Sequence, residues 1–383
     1  MSQDSEKTRR IIPARLTEIR QARGINGSEL AEELGVTRQA VSRYELGHVK
    51  PSPEILSSIC KILGIEQSFL TSKPVRSTEV ESPIFFKNLQ KEYRIIREVS
   101  AVKKLWFSDI IDFLNQFIDF PDLNLPDPAE FFDKDVYSND EIEEAATLCR
   151  KVWALGDSPI SDVGLLFENN GIILSRVCFA RKKTDTFSFW HEGRPMIMLG
   201  SGTDVAVQRA DLAHELGHIV LHKIFTAEQV RDRTISARLE AEANRFASAF
   251  LLPASSFAHE IVSTTLGHFA ELKKKWNVPI LTMVLRCRDL GILDDDQVLS
   301  LRRQLALFTR KHVSKDNSSH IEGPRLVPRA IEMLLDQKVK DPAELIRAIG
   351  VPPDDLEELS ALPRNRLRHE GQIIPVDFRL KSA

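Results

Sequence analysis

Residues 209–222 read RADLAHELGHIVLH, which puts His214 and His218 one helical turn apart with Glu215 directly after the first. Four residues advance about 400° at 3.6 per turn, so on a helix both imidazoles share one face, and Glu215 lies about 100° round from His214. Leu212, Ala213, Leu216, Ile219, Val220 and Leu221 would equally well bury such a helix in a core. This stretch alone is therefore either a two-histidine metal helix or an apolar helix that carries histidines. As a metal helix it has a defined chemistry. Zinc lowers the pKa of a bound water to about 7. Glu215 is placed to take that water's proton during attack on a peptide carbonyl and to return it to the leaving amine.

A third ligand is required, and the segment Ser236 to Pro253, SARLEAEANRFASAFLLP, offers one. It reads as a second helix with Ala243, Phe246, Ala247, Phe250 and Leu251 on its apolar side. If it crosses the first, Glu240 reaches the metal, and Asn244, one turn on, hydrogen-bonds a ligand histidine. Glu242 sits about 200° round from Glu240 and is expected to be dispensable for the metal. The plainer reading of either glutamate is an exposed surface side chain.

Together, LAHELGHIVLH and EAEANRFASAFLLP resemble the ImmA/IrrE-type zinc metallopeptidases. The resemblance assigns His214, His218 and Glu240 to Zn2+ and Glu215 to catalysis. It covers most of residues 84–300, running upstream through IEEAATLCRKVWALGDSPISDVGLLFENNGIILSR, a helix pair leading into a strand, and DTFSFWHEGRPMIMLGSG, a hairpin. The strand from Arg194 to Leu199 is expected at the edge of a gluzincin-like sheet, where an extended peptide adds as a strand. His222 is read as packing or hydrogen bonding, because a metzincin-like third histidine would fall at Ile224. His191 is read as a solvated loop residue, and Arg286 as a surface salt bridge in preference to an oxyanion donor.

The first seventy residues carry a different signal. IPARLTEIRQARGINGSELAEELGVTRQAVSRYELGHVKPSPEILSSICKILGIEQSFL reads as five short helices. Gly24 ends the first, Asn26 or Ser28 caps the second, Gly35 breaks the chain, and Thr37 caps a third helix, RQAVSRYE. Arg38, Gln39, Ser42 and Arg43 point outward from that third helix, a set suited to paired contacts with guanine and adenine and to phosphate. The alternative is a solvated charged face. LAEELGVTRQAVSRYELGHVKPSPEIL resembles the phage-repressor (XRE) helix-turn-helix family over about residues 10–70. By that resemblance Arg20 and Glu45 form a structural ion pair. Where the family often has a phosphate-gripping Gln at the start of the second helix, this chain has Gly27.

The remaining chain sets limits. A length of 383 residues predicts two or three domains, and a formal net charge of -3 gives no global pull towards nucleic acid. Cys60, Cys149, Cys178 and Cys287 have no paired spacing and read as reduced core thiols. No apolar run approaches a membrane span or a signal peptide, so a cytoplasmic protein without membrane contact is expected. Pro/Ser/charged breaks at TSKPVRSTEVESP, FPDLNLPDP and KDNSSHIEGPR read as linkers. The expected fold class is α+β, mainly helical. Its expected parts are a five-helix XRE-type domain over 1–72, a linker and helical connector over 73–135, a gluzincin-like domain with a small β-sheet over 136–300, and a C-terminal helical region over 301–383. The expected function is a DNA-binding transcriptional regulator with a zinc-dependent peptidase domain that cleaves itself or a partner regulator. Its partners are then a double-stranded DNA operator, a repressor-type protein substrate and, as in many XRE proteins, a second copy of the chain. A regulator that senses a ligand or peptide without hydrolysis, and an antitoxin-like autorepressor, are the competing readings.

Overall fold

The computed structural model describes residues 11–73, 84, 93–126, 134–178, 186–200, 204–311 and 322–368. The linkers expected at TSKPVRSTEVESP and KDNSSHIEGPR lie largely outside them. The described chain is mainly helical with one small sheet, as expected. Among the described residues no helix is long and apolar enough to cross a membrane.

The N-terminal helices are α1 (Pro13–Ala22), α2 (Gly27–Leu34), α3 (Arg38–Glu45), α4 (Pro53–Leu63) and α5 (Gln67–Thr71). Their boundaries follow local chemistry. Asn26 and Glu29 close a capping box on α2, Thr37 caps α3 through the Ala40 amide, and Gly35 takes the left-handed conformation that lets α2 stop and turn. Leu16, Ile19, Leu30, Val41, Ile59 and Leu63 meet in the centre. Arg20 donates to Glu45 at 2.6 Å across this bundle and to the Ile25 carbonyl at 2.8 Å.

A long helix, α6 (Tyr93–Leu114), follows, then α7 (Asn139–Val152) and α8 (Val163–Asn169). The sheet comprises β1 (Ile173–Val177), β2 (Phe187–His191) and β3 (Arg194–Gly200) in the order β1-β3-β2. β2 and β3 form the expected hairpin, closed by Glu192 and Gly193, both with positive φ, which fits the right-handed twist of the strands. One expectation is overturned here. β3 lies between parallel β1 and antiparallel β2, so the Arg194–Leu199 stretch has both backbone edges paired and cannot accept a peptide strand. Among the described residues the edge strands are β1 and β2.

The C-terminal half contains α9 (Val205–Leu221), α10 (Ala227–Arg231), α11 (Arg233–Leu251), α12 (Ala254–Phe257), α13 (Leu266–Trp276), α14 (Ile280–Asp289), α15 (Asp295–Lys311), α16 (Leu326–Asp336), α17 (Pro342–Ile349) and α18 (Pro353–Leu359). Strand alternation divides the molecule into two cores on either side of the sheet. Leu174, Ile197 and Leu199 pack towards α7, α9 and α11. Ile173, Val177, Phe187, Phe189, Met196 and Met198 share the opposite core with α6, the N-terminal helices and α16–α18.

The C-terminal helices α16–α18 thus pack into the same layer as α6 and the N-terminal helices. Ser175 on β1 donates to the Leu359 carbonyl at 2.7 Å. Arg15 of α1 donates to the Gly350 carbonyl at 2.7 Å, Trp106 of α6 donates to Glu18, and Asp355 accepts from both Arg23 and Lys103. Of the expected core thiols, Cys149 and Cys287 are buried, Cys60 is half-buried, and Cys178 is exposed at the end of β1; all four are free.

Candidate functional site

α9 and α11 cross tightly because Gly217 has no side chain. A Cβ there would stand 3.0 Å from the Ala243 Cα and 3.2 Å from its carbonyl oxygen. This contact brings Glu240 over the two histidines. His214 Nε2 lies 3.1 Å from His218 Nε2 and 3.3 Å from Glu240 Oε2, and His218 Nε2 lies 3.3 Å from Glu240 Oε1. Four ligands held tetrahedrally about 2.0–2.2 Å from a zinc ion are spaced about 3.4 Å from one another. The His214–His218 separation and the approach of each imidazole to one Glu240 oxygen lie near that spacing, with one ligand atom from each residue within 4.8 Å of the others.

The electrostatics suit a cation. Two imidazole nitrogens and a carboxylate converge, and Glu240 Oε2, shielded from water, has no hydrogen-bond donor in line among the described residues. Without a cation, only the two imidazoles beside it offset the desolvation of that buried oxygen. Burial, reinforced by the neighbouring His214 and His222, pushes His218 down to about 3 despite the pull of Glu240. Burial also works to raise the Glu240 carboxyl, but the two imidazoles beside it outweigh that and hold it below the usual carboxylate range. His218 is therefore in its neutral, metal-binding form at ordinary pH and Glu240 is ionised. The donor set fits a divalent metal with an N,N,O preference and leaves room for further ligands.

The polar groups around these three are organised. His214 Nδ1 faces Asn244 Oδ1 at 3.1 Å, and Asn244 Nδ2 is anchored on the Glu240 carbonyl at 2.7 Å, so the amide presents its oxygen to the imidazole. On the other side His218 Nδ1 lies 2.9 Å from His222 Nδ1, whose Nε2 lies 2.9 Å from Glu242 Oε2. Glu242, expected to be off the site, is thus connected to it, because His222 stands one turn further along α9 and meets α11 at a different level. Burial pushes the Glu242 carboxyl up, against the opposing pull of Arg238 and His218.

Glu215 is buried and accepts a hydrogen bond from Ser188 Oγ at 2.6 Å. Ser188 sits on β2, whose odd residues face α6 and whose even residues face α9, so the edge strand next to α9 delivers a hydroxyl to Glu215. Sequence reading missed Ser188; a small polar residue between Phe187 and Phe189 on an otherwise apolar strand is the signal that marks it.

Two other expected roles change. Arg286 is fully buried and committed, making a two-pronged pair with Glu143 at 2.5 and 2.8 Å and donating to the Leu252 carbonyl at 3.0 Å. It ties α14 to α7 and the end of α11; it is neither a surface bridge nor an oxyanion donor. His191 is not a solvated loop residue but pairs with Asp112 of α6 at 2.6 Å.

At the N-terminal domain, Arg38, Gln39, Ser42 and Arg43 are all exposed along one side of α3, while Val41 and Tyr44 face the core. Gly27, at the start of α2, has open space where a side chain would be.

Residues 16–67 match the family described as helix-turn-helix (HTH_3), and residues 167–288 match the family described as the IrrE N-terminal-like domain (Peptidase_M78). Over 56 residues the chain is 36% identical to the SPbeta prophage-derived uncharacterized HTH-type transcriptional regulator YonR of Bacillus subtilis (strain 168). That alignment covers 15% of this chain and 52% of the relative, so the chain spans about half the length of the curated relative it matches. The protein therefore carries an XRE-type helix-turn-helix domain and an ImmA/IrrE-like peptidase domain of the M78 type on one chain.

Proposed function

We propose that this protein is a cytoplasmic DNA-binding transcriptional regulator whose peptidase domain hydrolyses a peptide bond with a bound zinc ion. The observation that carries the reading is the convergence of one donor atom each from His214, His218 and Glu240 within 4.8 Å of one another, with Glu215 next to His214 in the chain. When bound, zinc supplies Lewis acidity, polarising the scissile carbonyl and bringing a water's pKa to about 7. The protein's own groups do the rest. His214, His218 and Glu240 hold the ion. A Glu215 carboxylate oxygen takes the proton from the attacking water and delivers it to the departing amine nitrogen. Ser188 Oγ, bonded to Glu215 Oε2, orients the carboxylate. Because β3 is fully paired, an extended substrate adds along β2, the edge that also carries Ser188.

At the other end, α3 enters the major groove of an operator, with Arg38 and Gln39 reading bases and Ser42 and Arg43 holding phosphates. Both modules on one chain favour a repressor-type regulator, or a second copy of this chain, as the substrate. A second reading, in which a peptide is sensed and not cut, is favoured by the docking of α1 on the C-terminal helices through Arg23 and Asp355, which couples the DNA-binding helices to the sheet.

The deciding experiment measures bound metal and incubates candidate XRE-type repressors, and the protein itself, with the wild type and with Glu215→Gln. Cleavage by the wild type alone supports the peptidase. A zinc-loaded wild type that cuts nothing but changes operator affinity with peptide supports the sensor.

A further inference from the structure

We propose that His222 and Glu242 are positioning residues of the metal centre, forming a two-step hydrogen-bond relay that sets the tautomer and raises the basicity of His218. The proposal rests on the reading of His214, His218 and Glu240 as a metal site.

The relay follows from proton bookkeeping. A His218 that offers its Nε2 lone pair to a cation must carry its proton on Nδ1. That proton points at His222 Nδ1, 2.9 Å away, which must then accept. His222 consequently keeps its own proton on Nε2 and donates it to Glu242 Oε2, again at 2.9 Å. Only one arrangement of protons satisfies all three contacts, and it is fixed at one end by the cation and at the other by the carboxylate.

The environment makes the arrangement consequential. His222 is fully buried and Glu242 nearly so, so bulk water does not supply alternative partners cheaply. Arg238 lies 3.5 Å from Glu242, one turn earlier on α11, and holds the carboxylate from the side away from His222 by its charge. The Glu240 and Glu242 carboxylates together balance a dication in a buried place. His214 is supported differently, by the neutral amide of Asn244. The two ligand histidines are thus unequal: His218 is backed by a negative charge delivered through an imidazole, and it is the stronger donor. A single helix, α11, provides the third ligand at Glu240 and the outer support of both histidines at Glu242 and Asn244. An ordinary buried ion pair would not need to end, through a second imidazole, on the ring of a ligand histidine.

The test uses the full chain, stripped of metal with a chelator, then titrated with Zn2+ in competition with a chromophoric chelator and separately loaded with Co2+ for its visible spectrum. Glu242→Gln and His222→Phe each weaken zinc binding by about 10–100-fold. The double variant is no weaker than the weaker single, since both break one relay, and Glu242→Asp restores part of the affinity. The Co2+ bands of Glu242→Gln shift, because His218 has become a poorer donor. If Glu242→Gln fails to fold, His222→Gln carries the same comparison. A wild type that binds no zinc overturns the metal centre and the relay together. A wild type that binds zinc beside Glu242 and His222 variants of equal affinity overturns the relay alone. Losses that multiply in the double variant, or a lowered melting temperature of the metal-free protein with unchanged Co2+ bands, also overturn it, by assigning both residues to packing.

Discussion

Arg23, at the end of α1, and Asp355, 332 residues later on α18, form a two-pronged ion pair at 2.9 and 2.8 Å. Lys103 of α6 reaches the same carboxylate at 2.5 Å, so one buried aspartate joins the DNA-binding helices, the long connecting helix and the C-terminal layer. Burial opposes ionisation of Asp355, but Lys103 and Arg23 outweigh it and hold its carboxyl below the usual range.

Asp355→Ala leaves Lys103 buried without its main partner and should cost about 3–5 kcal/mol of stability, as removal of one member of a buried pair does. Chemical denaturation measures it. Because the folded pKa of Asp355 is depressed, its contribution is complete above the unfolded value, near 3.9, and is lost as pH falls through the folded value. The gap between wild type and variant should therefore narrow in acid; a gap independent of pH assigns the loss to packing.

Glu240→Gln should lose zinc and with it any hydrolysis. Glu215→Gln should keep zinc while hydrolysis falls by about 10²–10⁴, the usual value of general acid–base help. Metal analysis beside a cleavage assay separates the two, and a Glu215→Gln protein without zinc would show that Glu215 is a ligand.

Gly217→Ala should be harmful although it adds one methyl group. The new Cβ meets the α11 backbone at Ala243, which cannot rotate out of the way. Overpacking of this kind costs about 1–3 kcal/mol. The displacement also carries Glu240 away from the histidines, so zinc affinity should fall in parallel. Unchanged zinc binding would mean that the crossing of α9 and α11 tolerates more separation than the geometry implies.

Arg38→Ala and Gln39→Ala should each lose about 1–3 kcal/mol at a specific operator and less on random DNA. Equal losses on both would reassign them to phosphate. Gly27→Gln should tighten binding to both kinds of DNA relative to Gly27→Ala, because alanine supplies the same helix gain without the amide. Equal affinity of the two variants would show that this position does not face a phosphate.

His191→Gln should matter more at low pH than at high. Burial opposes the charged form of His191, but the contact with Asp112 outweighs it and raises the pKa above the usual histidine value. Stabilisation by the charged pair is therefore complete below about 6.5 and is lost as pH rises through the folded value. Denaturation of wild type and variant from pH 5 to 9 should show the difference shrinking upward; a constant difference would remove protonation from the contact.

What could be read from the sequence was local. The helices around His214 and Glu240, the caps at Asn26 and Thr37, and the hairpin at Glu192 and Gly193 are written in neighbouring residues, where periodicity and turn chemistry act. The placing of Glu240 over the histidines also needed only that two amphipathic helices cross. Partners far apart in the chain were not legible. Ser188 meets Glu215 across 27 positions and Arg286 meets Glu143 across 143, and nothing in either local pattern names the other. Strand order failed for the same reason: the sequence of β3 is equally compatible with an edge and a centre, and only the parallel pairing with β1 decides. The contact of Glu242 with His222 was not legible either, because the helical angle from Glu240 says nothing of a partner that meets α11 one level away.

The Arg15, Arg23 and Glu18 contacts also bear on how self-cleavage would look at the bench. A chain cut between residues 73 and 93 would leave its N-terminal fragment held by bonds to Gly350, Asp355 and Trp106, none of which lies on the severed stretch. The nicked protein should elute in gel filtration at the volume of the intact one and still retard operator DNA, while denaturing electrophoresis resolves two bands. Loss of a gel shift is then the wrong readout for processing at that place, and release of the DNA-binding fragment would need a second event that breaks the Asp355 cluster.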